Sequence, residues 1–194
     1  KTFEERVNDL ADRLLKLYQE RANEPGFAFL KDDEIQKAFE SDFKHELTPD
    51  QKKSIDEIKK DMESPHPMDR LLCGDVGFGK TEVAFEVTMK AILSEKQVLI
   101  LCPTTVLAMQ HYKVAQKRFK NFKINIALFT RMQTAKEQTE ILKGAKNGEI
   151  NLIIGTHKAL GNKLEFKDLG LLIIDEEQRF GVEQKEKIKE KYKN

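Results

Sequence analysis

The feature that most constrains the fold is the stretch RLLCGDVGFGKTEVA, which runs from Arg70 to Ala84. An apolar run enters a glycine-rich loop, and a lysine and a threonine then open a segment with helical spacing. The pattern G-x-x-x-x-G-K-[ST] is complete over Gly74–Thr81, and its glycines allow several backbone N–H groups to approach one phosphate. The sequence therefore predicts a strand, a phosphate-binding loop and a helix, in that order.

Two side chains of this loop have predicted roles at a nucleotide. Lys80 offers a positive charge to the β- and γ-phosphate oxygens, and Thr81 offers a hydroxyl to Mg²⁺. The predicted nucleotide-binding residues of the loop are Gly74, Asp75, Val76, Gly77, Phe78, Gly79, Lys80 and Thr81. A signalling GTPase is disfavoured, because the sequence contains no N/T-K-x-D motif for reading a guanine base.

From Arg70 onward, short apolar runs alternate with helical patterns. The predicted strands are 69–73, 97–101, 123–129, 151–155 and 169–174, and the predicted helices are 80–93, 105–119 and 134–147. Alternating strands and helices, with continuously apolar strands, indicate an α/β fold whose parallel sheet is covered on both faces.

Before this region the pattern is helical. An apolar stripe from Phe3 to Leu17 predicts a long helix, which is either a core helix or a connector that docks on a partner. A short helical pattern follows at Asp32–Phe39. Thr48 and Pro49 then mark the start of another helix, as N-cap and first-turn residue. The charged tail 183–194 has the mixed charges of a solvated helix.

The charge balance excludes a uniformly basic surface, since the sequence has 34 Lys and Arg residues and 33 Asp and Glu residues, which gives a net charge of +1. A nucleic-acid surface must therefore be a local patch. No apolar run is long enough to cross a membrane.

Cys73 and Cys102 each end an apolar run and are predicted to be buried, reduced thiols of a cytoplasmic protein. The four histidines have no metal-ligand spacing and are interpreted as ordinary polar residues.

The stretch LLIIDEEQ, from Leu171 to Gln178, delivers carboxylates at the end of an apolar run. Nucleotide hydrolysis beside a phosphate loop needs an acid for Mg²⁺ and an acid for the attacking water. We assign these catalytic roles to Asp175 and Glu176, together with Lys80. For Glu177 a role and simple solvation stay open.

The phosphate loop followed about a hundred residues later by DEEQ resembles the superfamily-two helicases and translocases. GDVGFGKTEVA, PTTVLAMQHY, GTHKAL and FKDLGLLIIDEEQRFGVEQKEKIK resemble, more narrowly, the bacterial transcription-repair coupling factors. The resemblance implies a connector helix and loop over 1–30 and a RecA-like first motor lobe over 31–194, truncated after DEEQ. The absent initiator Met favours a chain cut from a longer one.

The resemblance also implies further site residues. Phe43 and Gln51 stand where relatives hold the adenine of ATP, and Gln178 of DEEQ joins the nucleotide-binding set where some relatives have His. The residues implied to contact the double-stranded DNA backbone are Thr104, Thr105, Thr156, His157, Lys158 and Arg131. For Arg131, an ordinary surface position without a DNA contact is an equally good interpretation.

The function implied is that of an ATP-driven, Mg²⁺-dependent DNA translocase that displaces stalled RNA polymerase and recruits excision repair. RNA polymerase and UvrA are expected to bind domains absent from this chain, and a second RecA-like lobe is expected to supply an arginine. A fork-remodelling helicase of the RecG kind and a non-catalytic interaction module stay open as alternatives. The resemblance further places a strand from beyond Asn194 next to the phosphate-loop strand, so we expect an unfilled slot between that strand and the one ending at Asp175.

Overall fold

The computed structural model describes residues 28–43, 46–63, 70–74, 81–161 and 163–175. The helices in these ranges are α1 (Glu34–Ser41), α2 (Pro49–Glu63), α3 (Thr81–Leu93), α4 (Thr105–Arg118), α5 (Ala135–Asn147) and α6 (His157–Leu160). The strands are β1 (Arg70–Gly74), β2 (Gln97–Cys102), β3 (Ile126–Phe129), β4 (Leu152–Thr156) and β5 (Leu169–Asp175). The helix predicted over Phe3–Leu17 and the tail 183–194 lie outside the described residues.

The strands form one parallel, five-stranded sheet in the order β1-β5-β2-β4-β3. This arrangement confirms the predicted α/β fold with a helix-flanked parallel sheet. The expected slot beside the phosphate-loop strand is wrong, because β1 pairs directly with β5 from Arg70↔Leu171 to Gly74↔Asp175. Strands that close up in this way satisfy backbone N–H and C=O groups that an open slot would leave unpaired.

Alternation along the strands divides the core into two layers. On β4, Ile153 and Ile154 are both fully buried, but they belong to different apolar clusters on opposite faces of the sheet. One cluster includes side chains of α1, α3 and α4, and the other includes side chains of α5 and α6. Continuously apolar strands are therefore explained by a sheet that is covered on both faces.

Local sequence signals set several helix starts. The hydroxyl Oγ1 of Thr48 accepts a hydrogen bond from the Gln51 N–H, and α2 begins at Pro49 as predicted. Thr134 and Glu137 form a complete capping box at the start of α5. These bonds satisfy N–H groups that have no partner inside the helix.

Two features differ from the sequence prediction by more than two residues. β3 begins at Ile126 rather than at residue 123, because the Asn125 N–H donates to the Asn151 side chain instead of joining the strand ladder. The short helix α6 was not anticipated. It begins directly after β4, and the Thr156 hydroxyl accepts its Ala159 N–H at 3.4 Å.

Partly buried ion pairs connect α2, α3 and the segment that precedes α1. The Asp32 carboxylate accepts hydrogen bonds from Lys59 Nζ and Lys90 Nζ, each at 2.7 Å. Burial alone would raise the pKa of Asp32, but the two lysine hydrogen bonds outweigh burial and lower it. Phe29 packs into the same core cluster as α1 and α3, so the chain is anchored on the lobe from Phe29 onward.

Candidate nucleotide and nucleic-acid site

The carboxyl ends of β1 and β5 bring the two halves of the predicted nucleotide site together. Gly74, the first residue of the phosphate-loop pattern, pairs in register with Asp175. Thr81 is the first residue of α3 and is half-buried. Residues 75–80, which include Lys80, and residues 176–194, which include Glu176 and Gln178, lie outside the described residues. Their predicted roles therefore stay predictions.

Asp175 is 3% exposed and contacts a histidine from α4. The Nε2–H of His111 donates a hydrogen bond to Asp175 Oδ2 at 2.8 Å. Cys102, the last residue of β2, is a free, buried thiol, as its sequence predicted. Burial, and then the charge of Asp175, raises the pKa of Cys102 well above its usual value. Cys102 is therefore a neutral thiol beside the Asp175 side chain.

One ligand atom from each of Cys102, His111 and Asp175 lies within 4.8 Å of the other two. Mg²⁺ selects oxygen ligands, whereas thiol and imidazole groups suit softer ions. Of these three side chains, the carboxylate of Asp175 fits Mg²⁺, as does the hydroxyl of Thr81. Cys102 and His111 lie beside the Asp175 carboxylate, and their thiol and imidazole groups are not the ligands that Mg²⁺ prefers.

The predicted adenine-binding residues lie in the segments before the phosphate loop. Phe43 follows α1 and is half-buried, with the guanidinium carbon of Arg118 5.8 Å from its ring centroid. Gln51 is in the first turn of α2, where its Oε1 accepts the Thr48 N–H at 2.9 Å. Because an amide oxygen has two lone pairs, Gln51 Oε1 can accept an adenine amino group and keep this capping bond.

Arg118 connects the Phe43 region with the start of α3. Its guanidinium donates from Nε and Nη2 to the two carboxylate oxygens of Glu82, at 2.7 Å each. It also lies over the Phe39 ring, 3.7 Å from the centroid. This bidentate pair ties the end of α4 to the residue that follows Thr81.

The predicted DNA contacts lie at the carboxyl ends of three neighbouring strands. β2, β4 and β3 are adjacent in that order, and Cys102 of β2 pairs with Thr156 of β4. Thr104 and Thr105 follow β2, and Arg131 follows β3. The sheet therefore separates the two sets of predicted contacts, with nucleotide residues at β1 and β5 and DNA residues at β2, β4 and β3.

These residues differ in accessibility. Lys158 and Arg131 are exposed, whereas Thr156 and His157 are buried. Thr104 is the N-cap of α4, where its Oγ1 accepts the Leu107 N–H at 3.2 Å. A helix N-terminus attracts phosphate, and a hydroxyl that accepts one hydrogen bond retains a proton to donate. Lys158, Arg131 and the start of α4 are therefore the best placed to contact a phosphate.

Sequence reasoning missed two side chains of this region. The sequence predicts that His111 is an ordinary polar histidine, and it does not reveal that the residue is 8% exposed and bonded to Asp175. A signal was present, since Ala108, His111 and Ala115 share helical spacing on the buried face of α4. Arg118 gave no comparable signal, because its partner Glu82 lies 36 residues away in the chain.

No helix among the described residues combines the length and the apolar character that crossing a membrane requires.

Comparison with known proteins identifies relatives of the whole chain. The transcription-repair-coupling factor of Bacillus subtilis (strain 168) is 57% identical over 98% of this chain, which spans 16% of that protein. Those of Staphylococcus epidermidis and Staphylococcus aureus (strain USA300) are 55% and 52% identical, over 97% and 94% of this chain and again 16% of each protein. The chain thus spans about a sixth of the length of these curated relatives.

A solved structure described as RecG bound to a three-way DNA junction superposes with a TM-score of 0.71 at 36% sequence identity. The match covers 92% of this chain and 24% of that one. The family model for the DEAD/DEAH box helicases matches residues 48–194. That range includes the phosphate loop, the predicted DNA contacts and DEEQ, so this chain belongs to the DEAD/DEAH box helicase family.

Proposed function

We propose that the chain is the ATP-binding first lobe of an ATP-driven translocase on double-stranded DNA. In this proposal the complete protein displaces stalled RNA polymerase in the bacterial cytoplasm and couples transcription to nucleotide excision repair. Sequence identity of 52–57% to three transcription-repair-coupling factors supports this assignment. Residues 1–30 are proposed to connect this lobe to a preceding domain, and 31–194 to form the lobe itself.

The observation that carries the proposal is the register of Gly74 with Asp175. An NTPase needs its phosphate loop and its metal-binding acid at the same edge of the sheet, so that both reach one nucleotide. Pairing of β1 with β5 brings Gly74, the first residue of the phosphate loop, beside Asp175. The sequence alone does not guarantee this proximity, because about a hundred residues separate the two. The helix α3 starts at the same edge with Thr81.

Each site residue then has a chemical role. Lys80 neutralises β- and γ-phosphate oxygens, and Glu176 orients and deprotonates the attacking water. Thr81 and Asp175 hold Mg²⁺. The bound ion would neutralise charge that develops on the phosphates. Phe43 offers an aromatic face to the adenine, and Gln51 offers an amide to its edge. Gln178 lies next to these acids in sequence and completes the nucleotide set.

The remaining site residues are proposed to bind the DNA backbone. Hydroxyl, lysine and arginine contacts to phosphates position a protein on DNA but carry little sequence information. The chain's net charge of +1 means that this binding depends on the local edge formed by β2, β4 and β3. RNA polymerase and UvrA are proposed to bind other parts of the protein, and a second RecA-like lobe to close over the nucleotide.

A second candidate is a fork-remodelling helicase lobe, favoured by the superposition on RecG bound to a three-way junction. The identity to that structure is 36%, against 57% to the Bacillus subtilis coupling factor, so the coupling role is the stronger proposal. Displacement of a stalled RNA polymerase by the complete protein distinguishes the two. A protein that reverses model forks but leaves the polymerase in place would support the RecG-like role instead.

The first experiment is a calorimetric titration of this chain with Mg-ADP, with Lys80→Ala as the matched variant. The proposal predicts binding by the parent chain and its loss in the variant, because Lys80 supplies the charge that faces the phosphates. Absence of binding in the parent chain would contradict the nucleotide role. It would favour the third alternative, a module that binds a partner through the Phe3–Leu17 stripe.

Hydrolysis by this chain alone is expected to be weak. The proposed second lobe would supply an arginine to the transition state, and such an arginine contributes roughly 10³–10⁵-fold in rate. ATP turnover by the 194-residue chain should therefore stay far below that of the same lobe joined to its partner lobe. Comparable rates for the two would show that the site is complete within this chain.

A further inference from the structure

The buried contact between α4 and β5 has no part in the roles assigned so far. His111 Nε2 lies 2.8 Å from Asp175 Oδ2, and both side chains are at least nine-tenths buried. Because Asp175 sits at a strand end with its carboxylate shielded from water, its orientation is set by protein groups rather than by solvent. The hydrogen bond from His111 fixes rotation of that carboxylate about its Cβ–Cγ bond.

The position of His111 follows from strand and helix geometry. Leu171 and Ile173 of β5 belong to the core cluster that packs on α4, so alternation points Asp175 toward the same face. Cys102 belongs to this cluster as well, which places its thiol beside the carboxylate. On α4, the fully buried Ala108 and Ala115 flank His111 at helical spacing and bring the helix close to the sheet.

We propose that His111 is a positioning residue for the Mg²⁺ site, which holds Asp175 in the orientation that binds the metal–nucleotide complex. This inference rests on the proposed function, since it concerns the metal ligand of the same site. Hydrogen-bond partners of metal ligands are worth about 10–100-fold in metal affinity or activity. A hydrophobic residue at this place would remove that hydrogen bond, so Asp175 would hold its metal-binding orientation less well.

The test compares His111→Leu with His111→Gln in the 194-residue chain. Leucine removes the hydrogen bond, whereas the glutamine amide can place an N–H donor near the position of Nε2. Tyr112→Leu is the matched control, because Tyr112 is the next residue of α4 and packs against the core cluster. It loosens the packing of α4 while the histidine stays in place.

Two titrations with ADP are measured for each variant, one across a range of Mg²⁺ concentrations and one in EDTA. We expect His111→Leu to raise the Mg²⁺ concentration needed for half-maximal enhancement of ADP binding by about 10–100-fold. Binding in EDTA should change little, because without the ion the proposed phosphate contacts are those of Lys80 and the loop N–H groups rather than of Asp175. His111→Gln should recover most of the Mg²⁺ dependence, and Tyr112→Leu should resemble the parent chain.

The outcomes separate this inference from the proposed function. Failure of the parent chain to bind ADP at all would overturn both. Normal binding with an unchanged Mg²⁺ dependence in His111→Leu would overturn only the role of His111. Equal losses in His111→Leu and Tyr112→Leu, with and without Mg²⁺, would also overturn it, because they would show that the histidine acts only through the packing of α4.

Discussion

Replacing Glu86 should remove a pH dependence of stability that the fold builds into α3. Glu86 is 1% exposed, and its pKa is raised to about 9 by burial, then by the carboxylates of Glu82 and Glu40. Glu82 is bonded to Arg118 and Glu40 to Lys59, so a cationic side chain lies beside each of these two neighbours. Glu86 is therefore the member of this group that keeps a proton in the folded protein at neutral pH.

The sign of the effect follows from proton counts. Between pH 4.5, the ordinary value for a glutamate, and about pH 9, the folded chain holds one proton on Glu86 that the unfolded chain has lost. The free energy of unfolding should therefore fall as pH rises, by about 1.4 kcal/mol per pH unit from this group. From pH 6 to pH 8 this amounts to about 3 kcal/mol.

Glu86→Gln preserves shape and keeps an N–H donor toward the neighbouring carboxylates, but it cannot ionise. Urea denaturation at pH 6, 7 and 8 should show the variant gaining stability relative to the parent as pH rises. Glu137→Gln is the control, because the capping box lowers the pKa of that exposed glutamate and leaves it ionised across this range. Parallel stability curves for the parent and Glu86→Gln would refute the reasoning.

Two further predictions concern packing. Arg118→Met should lower the free energy of unfolding by about 3–5 kcal/mol, because it leaves the buried Glu82 carboxylate unpaired, and adding Glu82→Gln should recover most of the loss in urea denaturation. Gly155→Ala should lower the free energy of unfolding by about 1–3 kcal/mol, since its Cβ would meet the Phe129 carbonyl oxygen at 2.6 Å. Gly144→Ala is the control, because its new Cβ meets the flexible end of Ile150 and alanine favours a helix. Equal losses at the two glycines would contradict this.

Interactions between residues close in sequence were sufficient to predict much of the fold. Thr48 with Pro49 and Thr104 with Thr105 mark helix starts that the structure confirms, because capping depends on residues within one turn of each other. Continuous apolar runs such as 97–101 predicted buried strands, and the alternation of strands and helices predicted a parallel sheet. The strand before the phosphate loop and the strand ending in Asp175 were likewise evident from the sequence by itself.

Only the tertiary structure determined which strands pair and which side chains contact each other across the sheet. The direct pairing of β1 with β5 closed a slot that sequence reasoning left open, because strand neighbours are chosen by backbone hydrogen bonding over about a hundred residues. The partners His111 with Asp175 and Arg118 with Glu82 are 64 and 36 residues apart. No periodicity in one segment encodes such a pair, since each side chain receives its partner only when two separately formed elements pack together.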